Sequence, residues 1–329
     1  MRPLGELRFI ARVASMYYEQ GLSQASIADK LGLSQAGVSR LLKRAEDEKI
    51  VRITVMPPQG AFTELEHALE ARYRLKEVVV TESNKSNSLL LRELGAAAAV
   101  YVETMVRRNE IIGVSSWSEA LLAMTNAMHP GNRSSGVQVV QVLGGVGNPN
   151  AEDHASQITH SVARLLGGQA HMLTAPGVVA STQIRDALLA DPYIREVTAL
   201  FDKLTLALVG IGAIKPSRLL WKSGNVFSPE ELDHLKERGA VGDVCLRFFD
   251  ANGEAVESSL DERVIGMTLQ QLKNVRRTVG IAGGARKFNA IRGAILGGWI
   301  NVLITDQQTA ERLVDLPVHT TQSPQEEVR

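Results

Sequence analysis

From Phe62 onward the chain alternates short apolar runs with helical patterns, and that alternation restricts the possible folds more than any other feature. "FTELEHALEARYRL" brings Phe62, Leu65, Leu69 and Tyr73 near one helical face, and "EVVVTES" then reads as a buried strand. "EIIGVSS", "VQVVQVLGG", "AHMLTAPG", "LTLALVGIG", "DVCLRFFD", "TVGIAGG" and "NVLITD" continue the series. Such alternation predicts an α/β domain with a largely parallel sheet covered by helices on both faces. Glycines recur at the strand ends, in "GVSSWS", "LGGVGN", "APG", "GIG" and "AGG". The carboxyl ends of an open parallel sheet line one rim, where Gly and Ser let backbone amides approach an anion, so a phosphate-bearing ligand is expected there.

The N-terminal segment has a different character. In "SIADKLGLSQAGVSRLLKRAE", Ala28 falls where two crossing helices must approach closely, and Gly32 falls in the turn, where a positive φ is cheap. Val38 and Leu41 are expected on the buried face of the second helix, with Ile27, Leu31 and Leu33 completing a small core. Ser23 and Ser34 are placed to cap the two helix starts. Upstream, Leu7, Ile10, Ala14 and Tyr17 share a face that closes a three-helix unit. Following the Ser34 cap, Gln35, Ala36, Ser39, Arg40, Lys43 and Arg44 are left facing outward. Gln and Arg can read purine edges, while Ser, Lys and Arg can hold phosphates. Double-stranded DNA is the expected partner of that face. "IVRITVMPP" could add a short wing strand. The expected organisation is a helix-turn-helix domain over 1–56, a linker over 57–61, an effector and oligomerisation domain over 62–318, and a polar tail over 319–329.

Composition removes several other classes. Lys+Arg and Asp+Glu both number 36, which argues against a purely electrostatic nucleic-acid binder. The single cysteine, Cys245, excludes an internal disulfide and reads as a core thiol in a reducing compartment. No run resembles a signal peptide or a membrane span, so a cytoplasmic location is expected. His67, His129, His160, His171, His234 and His319 lack metal-ligand spacing, and neither metal nor cofactor is expected. Trp117, Trp221 and Trp299 read first as core or interface residues. An isomerase-like enzyme carrying a DNA-binding head is the alternative; it would need a carboxylate or His as general base over the sugar carbon, and "GNPNAEDHASQ" offers Asp153 and His154. Asp153 in a first helical turn and His154 on a rim need no catalysis. A ligand-free DNA-bridging protein would not need the glycine-lined rim.

The helix-turn-helix of Gln24–Arg44 together with "GVSSWSEAL", "QVLGGVG", "LTAPG", "LVGIGA", "GDVCLRFFDANG" and "AGGARKFNAIRGAILGGWINVLITDQQTA" resembles the SorC family of sugar-responsive bacterial transcription regulators over nearly the whole chain. The resemblance implies a Rossmann-like effector domain similar to sugar-phosphate isomerases, a homodimer or homotetramer, and DNA affinity changed by a phosphorylated sugar or related polyol. It implies a phosphate loop at Ser115 and Ser116 backed by Gly144, Gly145 and Gly147; His154, beside that loop in the sequence, would line the rim or bind sugar hydroxyls. Lys287, just past Gly283 and Gly284, would supply the cation, and Asp243 would accept sugar hydroxyls. The commoner family loop has Trp-Gly directly after the first Ser, whereas here Ser116 intervenes and Ser118 replaces the Gly.

Overall fold

A computed structural model describes residues 4–48, 50–51, 62–129 and 136–316, with backbone alone for 4 and 149–156. The expected wing strand beyond Val51, the linker and the polar tail lie outside the described residues. The chain divides into two compact units, Met1–Pro58 and Gln59–Arg329.

The first unit contains helices α1 (Leu4–Tyr18), α2 (Gln24–Leu31) and α3 (Gln35–Asp47). Their core is Ile10, Val13, Ala14 and Met16 of α1, Ile27 and Ala28 of α2, and Val38, Leu42 and Ala45 of α3. Leu42, not Leu41, is the fully buried leucine of α3, while Leu41 is partly buried at the edge of the same cluster. Tyr18 closes the far end of the unit by donating to Glu46 at 2.7 Å.

The second unit is built on β1 (Glu77–Thr81), β2 (Ile111–Val114), β3 (Gln138–Gln141), β4 (Gln169–His171), β5 (Leu206–Gly210), β6 (Gly212–Ala213), β7 (Ala240–Val244), β8 (Arg247–Asp250), β9 (Arg277–Ile281) and β10 (Val302–Asp306). Seven of these form one sheet in the order β1-β10-β9-β5-β2-β3-β4, and every neighbouring pair is parallel. Period-2 alternation explains why it is covered twice. Leu206 and Leu208 of β5 join a cluster with Leu94, Val102, Met124 and Ile158 on one face. Ala207 and Val209 join Leu69, Ile291, Ala294 and Leu313 on the other.

"DVCLRFFD" departs from the expected single strand. It folds back on itself as the β7–β8 hairpin, which pairs with β6 in a separate antiparallel sheet. The turn residues Cys245 and Leu246 have φ of 53° and 60°. Two successive left-handed residues suit the twist of a tight hairpin, but they place side chains where Gly or Asn is normally found.

Among the described residues, no helix is long and apolar enough to cross a membrane.

Candidate DNA-reading surface and ligand cleft

On α2 and α3 the chain ends are fixed by local chemistry. Ser23 accepts the Ser26 amide and Ser34 the Gly37 amide, each at 3.1 Å, which satisfies free donors at the two helix starts. Gly32 turns the chain at φ 63°, and the Leu33 amide reaches back to the Ala28 carbonyl at 2.9 Å. These constraints leave Gln35, Ala36, Ser39, Arg40 and Lys43 exposed on one side of α3, opposite Val38, Leu42 and Ala45. The face carries side chains able to meet base edges and phosphates. Arg44 behaves differently from the expected reader. Its guanidinium is half-buried and forked between Glu6 of α1 at 3.0 Å and Glu48 at 3.2 Å, so it braces α3 against α1.

In the second unit the strand order reverses direction between β2 and β5. Chain passing from β2 to β3 and β4 builds one side, and β5, β9 and β10 build the other. Crossovers leaving in opposite directions open a crevice at the carboxyl ends of such neighbours. A cleft lies there, lined by Ser115–Glu119 after β2, Gly210–Ala213 from the end of β5 through β6, Asp243, Cys245 and Leu246 of the hairpin, and Arg286 and Lys287 after β9.

Asp243 is 8% exposed. Its Oδ2 accepts the Leu246 amide at 3.0 Å, so it does cap its own turn, and Oδ1 remains for a ligand. A β-carbon at Gly212 would come within 1.9 Å of that Oδ1, so only glycine on β6 leaves the carboxylate room. Burial pushes the Asp243 carboxyl up to about 6, against the opposing pull of the Leu246 amide and the Lys287 charge. Lys287 is half-buried, and burial lowers its ammonium from the ordinary lysine value, with Asp243 and Glu119 acting to keep it charged. The Cys245 thiol is pushed up to about 12, by burial first and then by Asp243, which keeps it protonated and unreactive.

Ser115 and Ser116 have different roles. The Ser115 hydroxyl accepts the Gly210 amide at 3.3 Å and keeps its proton for a ligand. The Ser116 hydroxyl is already committed: it donates to Leu143 O and accepts from Gln141 Nε2, both at 2.9 Å. Ser116 therefore serves the cleft wall, contrary to the expected side-chain phosphate ligand. Ser118 caps the helix Glu119–Ala127, taking the Leu121 amide at 3.3 Å and aiming a helix start at the cleft. Trp117 is 3% exposed, with φ 61°, and donates its indole N–H to Gly144 O at 3.1 Å.

Five glycines are placed otherwise than the sequence implied. Gly144, Gly145 and Gly147 do not line the cleft. The Gly144 amide is bonded to Ile265 O at 2.9 Å, and a β-carbon there would fall 2.3 Å from Pro176 O. One at Gly147 would fall 2.4 Å from Ser223 O, so these two glycines permit close packing of neighbouring loops. Gly145 is buried within the same stretch. Gly283 and Gly284 are committed to Asp306 and do not line the cleft either. The Gly284 amide donates to Asp306 Oδ2 at 2.7 Å, and a β-carbon at Gly283 would approach that oxygen to 2.5 Å. Burial acts to raise the Asp306 carboxyl, but bonds from Thr309, Gly284 and Ser83 outweigh it and hold the group below the usual carboxylate value.

His154 lies on the helix Pro149–Leu166, with its side chain, like that of Asp153, outside the described residues. Among the described residues, no group of three or more His, Cys, Asp or Glu is placed to hold a metal. The sequence reading missed Lys215, Arg286 and Glu119, all on the cleft wall. Arg286 could have been found from its place beside Lys287, but the other two carry no local signal.

Residues 58–315 match the family described as "Putative sugar-binding domain", and residues 16–52 match "Winged helix-turn-helix DNA-binding". The chain is similar to the sorbitol operon regulator of Klebsiella pneumoniae, 32% identical over 94% of this chain and 98% of that protein. It is also similar to the deoxyribonucleoside regulator of Bacillus subtilis (strain 168), 33% identical over 92% of this chain and 96% of that one. The crystal structure of the full-length sorbitol operon regulator SorC from Klebsiella pneumoniae superposes with a TM-score of 0.72 at 31% identity, covering 94% of this chain and 99% of the other.

Proposed function

Since this chain belongs to the SorC family of sugar-responsive transcriptional regulators, we propose that it controls a carbohydrate or polyol operon through a phosphorylated ligand held between Asp243 and Lys287. Like the relatives it matches, which are named as regulators, the protein is a DNA-binding regulator and not an enzyme. The observation that carries the phosphorylated-ligand reading is the pairing of opposite charges in one cleft at the sheet's switch point. Lys287, a helix start and the Ser115 hydroxyl suit a phosphate, while Asp243 suits hydroxyl donors. A thermal-shift screen of phosphorylated and free sugars and polyols tests it: only phosphorylated compounds should stabilise the protein strongly. Equal stabilisation by the free compounds would remove the phosphate from the account.

DNA reading is assigned to Gln35, Ala36, Ser39, Arg40 and Lys43, with Ser34 holding the helix start and Arg44 bracing it. Arg40→Ala should cost about 1–3 kcal/mol and relax base choice at one position. Lys43→Ala should weaken operator and random DNA alike and lower the salt slope by about one. Titrations of both DNAs at several salt concentrations separate the two effects. A single head of this size binds weakly, so the working form is a dimer or tetramer on a near-palindromic site, acting in the cytoplasm. Ligand acts by favouring one arrangement of that oligomer, and half-sites about 34–36 Å apart tolerate little change in the spacing of two recognition helices.

Asp243 gives the ligand response a pH dependence of known sign. Its folded-state value of about 6 lies above the ordinary carboxylate value of 3.8, so its contribution to fold stability is present at low pH and is lost as pH rises through about 6. A ligand donating hydroxyls to the ionised carboxylate acts in the opposite sense. Affinity should fall as pH drops below about 6, approaching tenfold per unit. Asp243→Asn should leave only the dependence due to the ligand's own phosphate. Calorimetric titration of the strongest screen compound between pH 5 and 8 checks this, and identical profiles for the two proteins would contradict it.

A further inference from the structure

Beside the ligand cleft lies a second, larger groove that the regulator reading does not use. Both are open to solvent, and the groove offers about 960 Å³ of accessible space against about 70 Å³ in the cleft. They share one wall, at Ala213, Lys215–Ser217 and Arg286, so a molecule in the groove borders the cleft directly. Trp221 stands in the groove 52% exposed, although Trp117 and Trp299 are 3% and 9% exposed. Trp221 is therefore not a core residue, in contrast to the other two tryptophans. Pro216, Pro229 and Leu232 extend its apolar surface.

Lys215, Arg218, Lys236 and Arg286 also border the groove, against the single acid Asp233. Each of the four is exposed, and among the described residues none of them makes an ion pair. A flat aromatic plate inside a rim of free cations fits a ligand with a planar ring and an anionic group. Ring stacking on Trp221 and phosphate contacts to the cations use those two features together.

We propose that this groove binds a nucleoside 5′-phosphate, its base stacked on Trp221 and its phosphate at the shared wall beside Lys215 and Arg286. Lys215 and Arg286 also face the cleft, so nucleotide and cleft ligand compete for the same wall and weaken one another. The regulator thereby reads a second class of metabolite beside its sugar or polyol ligand.

ADP, adenosine and inorganic phosphate serve as probes in calorimetric titrations of the full chain, with tryptophan fluorescence as a second readout. ADP should bind saturably at one site per chain and quench fluorescence. Adenosine and phosphate should each bind at least about tenfold more weakly. Trp221→Ala should lower ADP affinity at least about tenfold and remove most of the quenching. Lys236→Ala, which alters an exposed side chain that makes no ion pair among the described residues, should weaken ADP severalfold without changing the melting temperature. Absence of saturable ADP binding, or ADP binding indifferent to both substitutions, would overturn the proposal. So would dissociation of an oligomer by Trp221→Ala in sedimentation, because the groove would then be a contact between copies. The groove stands apart from the sugar-phosphate reading: if no phosphorylated sugar or polyol binds but ADP does, that reading fails and the groove remains.

Discussion

Lys287→Ala is expected to lower the affinity for a phosphorylated cleft ligand by about 10- to 150-fold, the range of one charge-assisted hydrogen bond of about 1.5–3 kcal/mol. The ammonium is half-buried next to Asp243, where water screens it less than at an open surface. Removing it also leaves the buried Asp243 carboxylate without its nearby cation, which should raise that group further. Operator binding without ligand should be nearly unchanged, since the substitution lies outside the helix-turn-helix unit. Lys287→Arg should recover part of the affinity by keeping the charge. Calorimetric titration of the three proteins reads the result. Full affinity in Lys287→Ala would place the phosphate elsewhere in the cleft, with Arg286 and Lys215 the remaining cations.

Gly144→Ala should act on the fold. The added methyl would meet backbone, with Pro176 O at 2.3 Å and Ala175 O at 2.6 Å, and neither oxygen can move without shifting its loop. Overpacking of this kind costs about 3 kcal/mol or more, which for a domain of this size lowers the melting temperature by roughly 6–12 °C. Differential scanning calorimetry without ligand gives the answer. An unchanged melting temperature with lost ligand response would restore the "LGGVG" loop to the binding site.

Signals repeated along the chain were the legible ones. The parallel sheet could be read because strands buried on both faces need apolar residues at successive positions, as in Leu206–Val209 and Val302–Ile304. The helix-turn-helix could be read because Ser23, Gly32 and Ser34 act on their own neighbours within a few residues. The β7–β8 hairpin was missed because Cys245 and Leu246 occupy left-handed turn positions that usually announce themselves by Gly or Asn. Glycines were the least decipherable. Gly144 clearing Pro176, Gly212 clearing Asp243 and Gly283 clearing Asp306 look identical in sequence, yet only Gly212 lines the cleft. Likewise, Arg44 could not be told from Arg40 without knowing that α1 brings Glu6 beside it.

The central claim is that a phosphorylated ligand in the cleft at the β2–β5 switch point sets the affinity of the helix-turn-helix unit for DNA. Fluorescence anisotropy of a labelled operator fragment, titrated with the full chain with and without the strongest phosphorylated compound from the thermal screen, measures it directly. The account predicts a several-fold change in operator affinity that the unphosphorylated compound does not produce and that Lys287→Ala loses. Operator affinity unmoved by saturating phosphorylated ligand, or moved equally in Lys287→Ala, would contradict it.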